Sequence, residues 1–105
     1  MTLSEAMASG LPCIWTHWAG PRDYGDSQVG FPITKFRMIR LKFDGGFESF
    51  GVDPDEKQII QRMEQIYHGY DRALKLGKKA SERMHALYTW KQAAARFIEI
   101  CEKYI

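Results

Sequence analysis

The groups best suited to binding a ligand lie near the start of the chain. Thr2 and Glu5 have the Thr-x-x-Glu spacing of a capping box, in which each side chain satisfies a backbone amide of a helix's first turn. The amides of Thr2 and Leu3 would then lie at the helix N-terminus, where free N–H groups and the helix dipole favour an anion such as phosphate. The spacing therefore predicts a short capped helix, and anion binding is the chemistry that its first turn offers.

A second group of polar and aromatic residues follows the first predicted strand. His17, Trp18, Arg22 and Asp23 lie in a loop rich in turn-forming residues, HWAGPRDYGD. Ligands bind beyond the carboxyl ends of the strands in parallel sheets, which makes this loop a candidate for contact with a substrate. Loop packing and surface charge are the alternative roles of the same side chains.

The histidines and cysteines do not form a pattern typical of metal binding or nucleophilic catalysis. His68 and His85 fall in predicted helices without partners at metal-ligand spacing, and positions on the surface or at the edge of the core explain both. Cys13 and Cys101 are far apart in apolar segments, which favours free thiols in a reducing compartment. We therefore expect no metal site, no Ser-His-Asp or Cys-His catalytic group, and a cytoplasmic location.

The first half of the chain has the pattern of an α/β fold. The first helix has an apolar stripe of Leu3, Ala6 and Met7. Gly10 is placed to end this helix in a left-handed conformation, and Pro12 prevents it from continuing. The apolar runs at 13–16 and 30–33 lack polar alternation, as do strands covered on both faces, and they predict a short parallel sheet. The segment 34–52 alternates in part and favours either a strand or an extended arm, interrupted by the sequence DGG.

The second half is predicted to be helical. Asp53 and Pro54 form an N-cap followed by proline in the first helical position. A second helix is predicted from about Asp71 to Leu87, and Thr89 with Gln92 gives a capping box for a third. The apolar stripes of the three helices are Ile59, Met63, Ile66 and Tyr70; Ala73, Gly77, Ala80, Met84 and Leu87; and Trp90, Ala94, Phe97, Cys101 and Ile105. These stripes favour burial, and the two aromatic residues of the last stripe are expected in the core rather than in a binding platform.

Length and composition limit the class of protein. The chain has 105 residues, of which 45% are hydrophobic, enough for a core and for a single domain over 1–105. Its net charge of +2 arises from intermixed basic and acidic residues, which argues against nucleic acid as the main partner. The sequence lacks a run apolar enough to span a membrane, and its start lacks the basic and apolar regions of a secretory signal.

The segment LSEAMASGLPCI, residues 3–14, carries a family resemblance. It resembles the C-terminal donor-binding domain of retaining glycosyltransferases of the GT-B fold, family 4, which includes glycogen-synthase-like and sucrose-synthase-like enzymes. Further matches are Gly30-Phe31 in a short strand, the DP pair before the next helix and the YTW sequence that begins the last helix. The arm at 35–52 is the least similar part. The resemblance implies a partial Rossmann-like fold, with a short parallel sheet of two to three strands and C-terminal helices.

The resemblance also implies roles for individual residues. The family's signature is a pair of glutamates separated by seven residues, and Glu5 matches the second, which binds the ribose of a nucleoside-diphosphate sugar. The backbone amides of Thr2 and Leu3 match the position that binds the donor diphosphate. The first glutamate would fall before Met1, so the chain is expected to be a truncated transferase without its acceptor domain. We expect weak donor binding, little or no transferase activity, and no metal or cofactor beyond the nucleotide sugar.

A function of another class is the alternative. The chain would then be a stand-alone, non-catalytic α/β module that binds a partner protein through unpaired strand edges and apolar helix faces. The resemblance implies that the last helix crosses to the other domain of the enzyme, which would leave part of its apolar stripe exposed in this chain. For either function, the uncharged strand at 13–16 and this stripe favour pairing with another chain. We therefore expect a homo-oligomer, most simply a symmetric dimer.

Overall fold

A computed structural model of the chain describes residues 2–105 and shows a mixed α/β protein. Its elements, in chain order, are α1 (Thr2–Ala8), β1 (Ile14–Thr16), α2 (Pro21–Tyr24), β2 (Phe31–Ile33), β3 (Phe36–Lys42), β4 (Glu48–Pro54), α3 (Glu56–His68), α4 (Tyr70–Leu87) and α5 (Trp90–Lys103). The strands β1 and β2 pair in parallel, which confirms the predicted short parallel sheet followed by three helices. No helix within the described range is long and apolar enough to cross a membrane.

The parallel sheet has helices on both of its faces. Ile14 lies beside Phe31 and Trp15 beside Pro32 in the register of the two strands, and successive side chains of a strand point to opposite faces. Trp15 packs into a core with residues of α1 and α4, whereas Ile14 lies against α3. The sheet is therefore the middle layer between α3 on one side and α1 with α4 on the other.

The main core lies between the sheet and the pair α1 and α4. Its buried residues are Met7, Cys13, Trp15, Val29, Ala80 and Met84. Helix α4 approaches α1 closely because Gly77 has no side chain, and a Cβ built there would lie 2.3 Å from the carbonyl oxygen of Gly10. Gly10 itself has a φ of +80°, the left-handed conformation predicted for the end of α1. The predicted α4 stripe is buried except for Leu87, which is exposed.

A buried glutamine joins α3 to the end of β2. The Oε1 atom of Gln58 accepts hydrogen bonds from the backbone N–H groups of Thr34 at 2.9 Å and Lys35 at 2.8 Å. Its Nε2 atom donates to the Thr34 hydroxyl at 3.1 Å. This side chain therefore satisfies two backbone donors at the point where the chain leaves the parallel sheet.

Helix α3 begins two residues later than predicted. Its N-cap is Asp55, whose carboxylate accepts a hydrogen bond from the backbone N–H of Gln58 at 3.0 Å. The prediction that Asp53 and Pro54 open this helix is wrong, because both residues belong to β4 and pair with β3. An aspartate can cap at either position, and the strand pairing decides between them.

The irregular arm of the sequence is an antiparallel β-hairpin of β3 and β4, separate from the parallel sheet. Gly45 and Gly46 form its turn with φ values of +89° and +82°, which only glycine adopts easily. The hairpin exposes large apolar side chains, namely Met38, Phe43, Phe47 and Phe50. It therefore does not provide a third strand of the parallel sheet, which has two strands in residues 2–105.

Helix α5 lies on the surface. The predicted capping box is confirmed: the Thr89 hydroxyl accepts from the backbone N–H of Gln92 at 3.2 Å, and Gln92 Oε1 accepts from the N–H of Thr89 at 2.9 Å. None of the residues 90–103 is buried. The prediction that Trp90 and Phe97 belong to the core is wrong, because their exposed fractions are 79% and 68%. An amphipathic pattern identifies the apolar face of a helix but not whether another element covers it.

Candidate functional site

Glu5 lines a cavity where α1, α4 and the start of α5 meet. The cavity has a volume of about 470 Å³, which is the size of a small-ligand site. Its lining consists of Ser4, Glu5 and Ala8; Met84 and His85; and Tyr88, Thr89, Trp90 and Ala93. Glu5 is exposed, and its carboxylate has no ion-pair partner within residues 2–105. The carboxylate is therefore accessible to a ligand.

Contacts of α4 with the backbone of Ala8 and Gly10 fix the position of α1 along this cavity. The Ser81 hydroxyl of α4 donates a hydrogen bond to the carbonyl oxygen of Ala8 at 2.7 Å. The close approach of Gly77 to Gly10 holds the same end of α1 against α4. Glu5 lies one turn before Ala8, so its position follows from how α1 crosses α4 rather than from a bond to its own carboxylate.

His85 lines the cavity, and a hydrogen bond to the backbone of its own helix orients its ring. Its Nδ1 atom lies 2.8 Å from the carbonyl oxygen of Ser81. A carbonyl oxygen only accepts hydrogen bonds, so Nδ1 is the donor in this contact. Nε2 is the ring nitrogen that remains for a ligand.

Two exposed aromatic side chains form the other wall of the cavity. Tyr88 and Trp90 flank the turn between α4 and α5, and the Thr89 cap fixes Trp90 at the first position of α5. The Tyr88 hydroxyl donates to the carbonyl oxygen of Asp23 at 3.2 Å, and its ring meets that of Tyr24 edge-on with centroids 6.1 Å apart. Aromatic faces of this kind stack on nucleobases and on other flat or apolar ligand surfaces.

The loop after β1 does not line this cavity. The structure does not bring His17, Trp18, Arg22 or Asp23 to the Glu5 carboxylate. The Nδ1 atom of His17 accepts a hydrogen bond from the indole N–H of Trp15 at 3.2 Å, so it satisfies a largely buried donor. Arg22 and Asp23 are exposed on α2. The contacts and exposure of these side chains correspond to loop packing and surface charge, the alternative to contact with a substrate.

An ion pair holds the end of that loop on α4. The Arg83 guanidinium donates to Asp26 Oδ2 at 3.0 Å and to the carbonyl oxygen of Tyr24 at 3.3 Å. Burial by itself raises the pKa of Asp26. The hydrogen bonds from Arg83 and from the Gln28 amide, together with the charge of Arg83, outweigh this effect, so the pKa lies below its usual value. The ion pair thereby fixes the loop beside the aromatic wall of the cavity.

Thr2 and Leu3, at the start of α1, do not line the cavity. Thr2 is the first helical residue rather than the cap, and no hydrogen bond joins it to Glu5 within the described residues, so the predicted capping box is not formed. Leu3 is half-buried against the core. The contact of the Thr2 and Leu3 amides with a diphosphate stays a prediction. Helix α1 has only seven residues, so few peptide dipoles add to any attraction for an anion there.

The described residues give the cavity no metal-binding cluster and no thiol. No cluster of three or more His, Cys, Asp or Glu residues there is arranged to hold a metal ion. Both thiols are free, and burial raises the pKa of Cys13, which keeps it protonated and unreactive. The cavity offers a ligand a carboxylate, an imidazole and aromatic faces.

Sequence patterns do not reveal that His85, Tyr88 and Trp90 share a cavity with Glu5. The capping box at Thr89 is the available signal, because it fixes the start of α5 and places two aromatic residues at the α4–α5 turn. Which element faces that turn depends on how α1 crosses α4, and that depends on contacts between residues far apart in sequence.

Comparison of the chain with protein-family models, with curated proteins and with solved structures found no match. Two observations bear on the function of the chain. One is the geometry of the Glu5 cavity, and the other is the sequence resemblance carried by residues 3–14.

Proposed function

We propose that the chain is the nucleotide-sugar-binding part of a retaining glycosyltransferase of the GT-B type, with a partial Rossmann-like fold. One observation carries the proposal. The segment 3–14 forms a helix, a left-handed Gly10 and the start of a strand in a helix-covered parallel sheet, and its Glu5 lines a ligand-sized cavity. The parent reaction would transfer a sugar from a nucleoside diphosphate to an acceptor hydroxyl with retention at the anomeric carbon.

The cavity supplies the chemistry that the nucleoside half of such a donor needs. The Glu5 carboxylate has two oxygens and accepts hydrogen bonds from both ribose hydroxyls. Trp90 offers an exposed ring face on which a base stacks, and such stacking contributes about 1–3 kcal/mol. The volume of about 470 Å³ is sufficient for a nucleoside, while the remainder of the donor would extend into solvent.

The same cavity offers little to the diphosphate. Among the described residues, neither Lys nor Arg lines it, and His85 is the one group that can carry a positive charge there. Cationic groups and oriented donors stabilise the charge that develops on the leaving diphosphate, and a hydrogen bond to a charged group contributes about 1.5–3 kcal/mol. We therefore expect this chain to bind a nucleotide sugar at millimolar concentrations and to show little or no transfer.

The test is a titration of the ¹⁵N-labelled chain with UDP-glucose, ADP-glucose and GDP-mannose up to 10 mM, followed by backbone amide NMR shifts. We expect saturable shifts in α1 and in residues 84–93. The Glu5→Gln variant should bind about tenfold more weakly, the lower end of the range for a charged hydrogen bond because Glu5 is exposed. Its melting temperature should stay unchanged, since no ion pair of the described chain uses its carboxylate.

The matched control is Glu102→Gln, which removes an exposed glutamate of α5 outside the cavity. It should bind all three nucleotide sugars like the unmodified chain. The proposal is wrong if no donor shifts any amide at 10 mM, or if the shifts persist unchanged in Glu5→Gln. Micromolar affinity would contradict the argument about the missing cations.

A second candidate function is the non-catalytic module that binds a protein partner. The observation that favours it is α5, which has no buried residue and exposes Trp90 and Phe97, with the exposed Tyr104 as its C-cap. Exposed apolar surface marks protein interaction sites where it forms a patch. The same titration distinguishes the two functions, because a protein-binding module without a donor site would show no saturable amide shifts around Glu5.

A further inference from the structure

The chain exposes more surface than a compact monomer of its mass. Its accessible surface is 8168 Å² for 12.2 kDa, whereas folded monomers of that mass expose roughly 6,100 Å². Its radius of gyration is 16.8 Å, against about 13 Å for a compact chain of this length. The excess of roughly 2,100 Å² is larger than the roughly 800 Å² that each partner buries in a stable interface. The fold therefore has enough surplus surface for a second copy.

One edge of the parallel sheet is open. Along β1 and its flanking residues, the backbone N–H and C=O groups of successive residues point alternately to the two sides of the strand. The groups of Cys13 and His17 face β2, because the Cys13 carbonyl accepts from the Phe31 N–H and the His17 N–H donates to the Ile33 carbonyl. The backbone groups of Ile14 therefore face away from β2, and neither its N–H nor its C=O has a partner among the described residues. Residue 14 is uncharged, so nothing at this position blocks the addition of a strand.

The hydrogen-bonding groups along this edge match those of a second copy turned antiparallel. With Ile14 opposite the second copy's Ile14, the two residues exchange two N–H···O=C bonds. Thr16 then lies opposite Pro12 of the other copy, where its N–H can donate to the Pro12 carbonyl. A hydrogen bond from Pro12 to the Thr16 carbonyl is not required, because Pro12 has no N–H and this carbonyl already accepts from the Trp18 amide at 2.8 Å. This register leaves no edge donor unpaired.

An apolar groove lies beside the same edge. It has a volume of about 620 Å³ and is lined by Ile14 of β1 and by Ile60, Met63, Ile66, Tyr67 and Tyr70 from the α3–α4 hairpin. Met63 and Tyr67 are one turn apart and have exposed fractions of 58% and 81%. Glu64, the one charged lining residue within the described chain, is exposed and can stay in water. A strand added to β1 would lie along this groove and cover it.

We propose that two copies of the chain pair through the free edges of β1, with Ile14 on the two-fold axis and the α3 grooves covering the junction. The result is a four-stranded sheet in the order β2-β1-β1-β2. Such a pairing gives β1 a neighbour on both sides, as the inner strands of a helix-covered sheet have. The contact is isologous and closed, so it produces a dimer rather than a filament.

The first test measures mass by light scattering and sedimentation from 1 to 200 μM. We expect a dimer of twice the chain mass with a Kd of about 10 μM or lower, the range of a modest interface. The double variant Met63→Glu with Tyr67→Glu should weaken the dimer at least 30-fold. The matched control Phe97→Glu with Tyr104→Glu places the same charges at an exposed residue of α5 and at its exposed C-cap, and should change the Kd less than threefold. Circular dichroism verifies that every variant is folded.

The second test fixes the register through a cross-link, on a Cys101→Ser background. Paired residues in this register have Cα atoms about 5.5 Å apart, within the range of a disulfide. The Ile14→Cys variant should therefore form a covalent dimer under mild oxidation. Thr16→Cys is the control, because the two Thr16 residues would lie about 14 Å apart along the strands and cannot join.

A chain that remains monomeric at 200 μM would overturn the proposal. So would a dimer that the α5 control weakens more than the Met63 and Tyr67 variant, because the interface would then lie on α5. A dimer in which Thr16→Cys cross-links and Ile14→Cys does not would show that the strands pair in another register. None of these results depends on nucleotide binding, so this proposal and the proposed function can fail independently.

Discussion

Replacing Gly77 by alanine tests the contact that positions Glu5. A Cβ at this residue would lie 2.3 Å from the carbonyl oxygen of Gly10, 3.0 Å from its carbonyl carbon and 3.1 Å from that of Leu11. All three atoms belong to the backbone, so no neighbouring side chain can rotate away. Helix α4 would have to shift away from α1, which would loosen the packing around Met7 and Ala80.

Two effects of opposite sign determine how Gly77→Ala changes the free energy of unfolding. Alanine is favoured over glycine inside a helix by about 0.8–1.0 kcal/mol. Overpacking a close contact costs about 1–3 kcal/mol, and the upper half of that range applies where the contact is with backbone. We expect a net loss of about 1–2 kcal/mol in the free energy of unfolding, or a decrease of roughly 5–15 °C in Tm for a domain of this size.

The assay is urea unfolding followed by circular dichroism and tryptophan fluorescence, with all variants at one protein concentration. Lys78→Gly and Lys78→Ala calibrate the helix preference, because Lys78 is the exposed neighbour of Gly77 in the same helix. The alanine variant at 78 should be the more stable of that pair by about 1 kcal/mol. If Gly77→Ala is as stable as the unmodified chain, the close contact of α4 with Gly10 is refuted.

Two further predictions concern the joints that hold the layers together. Gln58→Leu leaves two backbone amides without their acceptor and should cost about 2 kcal/mol, measured by urea unfolding, whereas the exposed Gln61→Leu should be nearly neutral. Asp26→Asn removes the carboxylate bound to Arg83 and should cost about 0.5–1 kcal/mol at pH 7, since Asp26 is half exposed. The folded pKa of Asp26 is lowered, so its contribution is present above the ordinary carboxyl pKa and is lost as pH falls through the folded value. Thermal melts of the two chains should therefore differ at pH 5 and above and converge as the pH falls below the lowered pKa of Asp26, while the exposed Asp44→Asn should show no such difference.

Two features that depend on near neighbours in the sequence could be predicted, whereas a third, the Thr2–Glu5 capping box, is not formed. Gly10 ends α1 in the left-handed conformation, and the Thr89–Gln92 box begins α5, each through contacts within about four residues. The start of α3 was misplaced at Asp53 because either aspartate of the DPD sequence can cap a helix. The choice of Asp55 follows from the pairing of β4 with β3, which local chemistry does not specify.

Features that depend on distant contacts could not be predicted. The alternation in segment 34–52 favours a strand, but it does not show that the partner is the following segment rather than the parallel sheet. The apolar stripe of α5 does not show that it lacks a covering element in the described chain. Glu5 could be singled out from its motif, whereas the contribution of His85 and Trp90 to its cavity depends on the crossing of α1 and α4.

The two proposed sites use opposite faces of the same short sheet, which lets both operate in one assembly. Trp15 faces the layer of α1 and α4, and that layer carries Glu5 and its cavity. Ile14 faces α3, and its outward backbone groups and groove form the proposed dimer contact. Because adjacent strand residues point to opposite faces, pairing at β1 covers the groove without covering the cavity. A dimer formed in this way should bind one nucleotide sugar per chain, and the Met63→Glu with Tyr67→Glu variant should retain that binding as a monomer. Loss of nucleotide binding in this folded variant would show that the two surfaces are coupled and would contradict this separation.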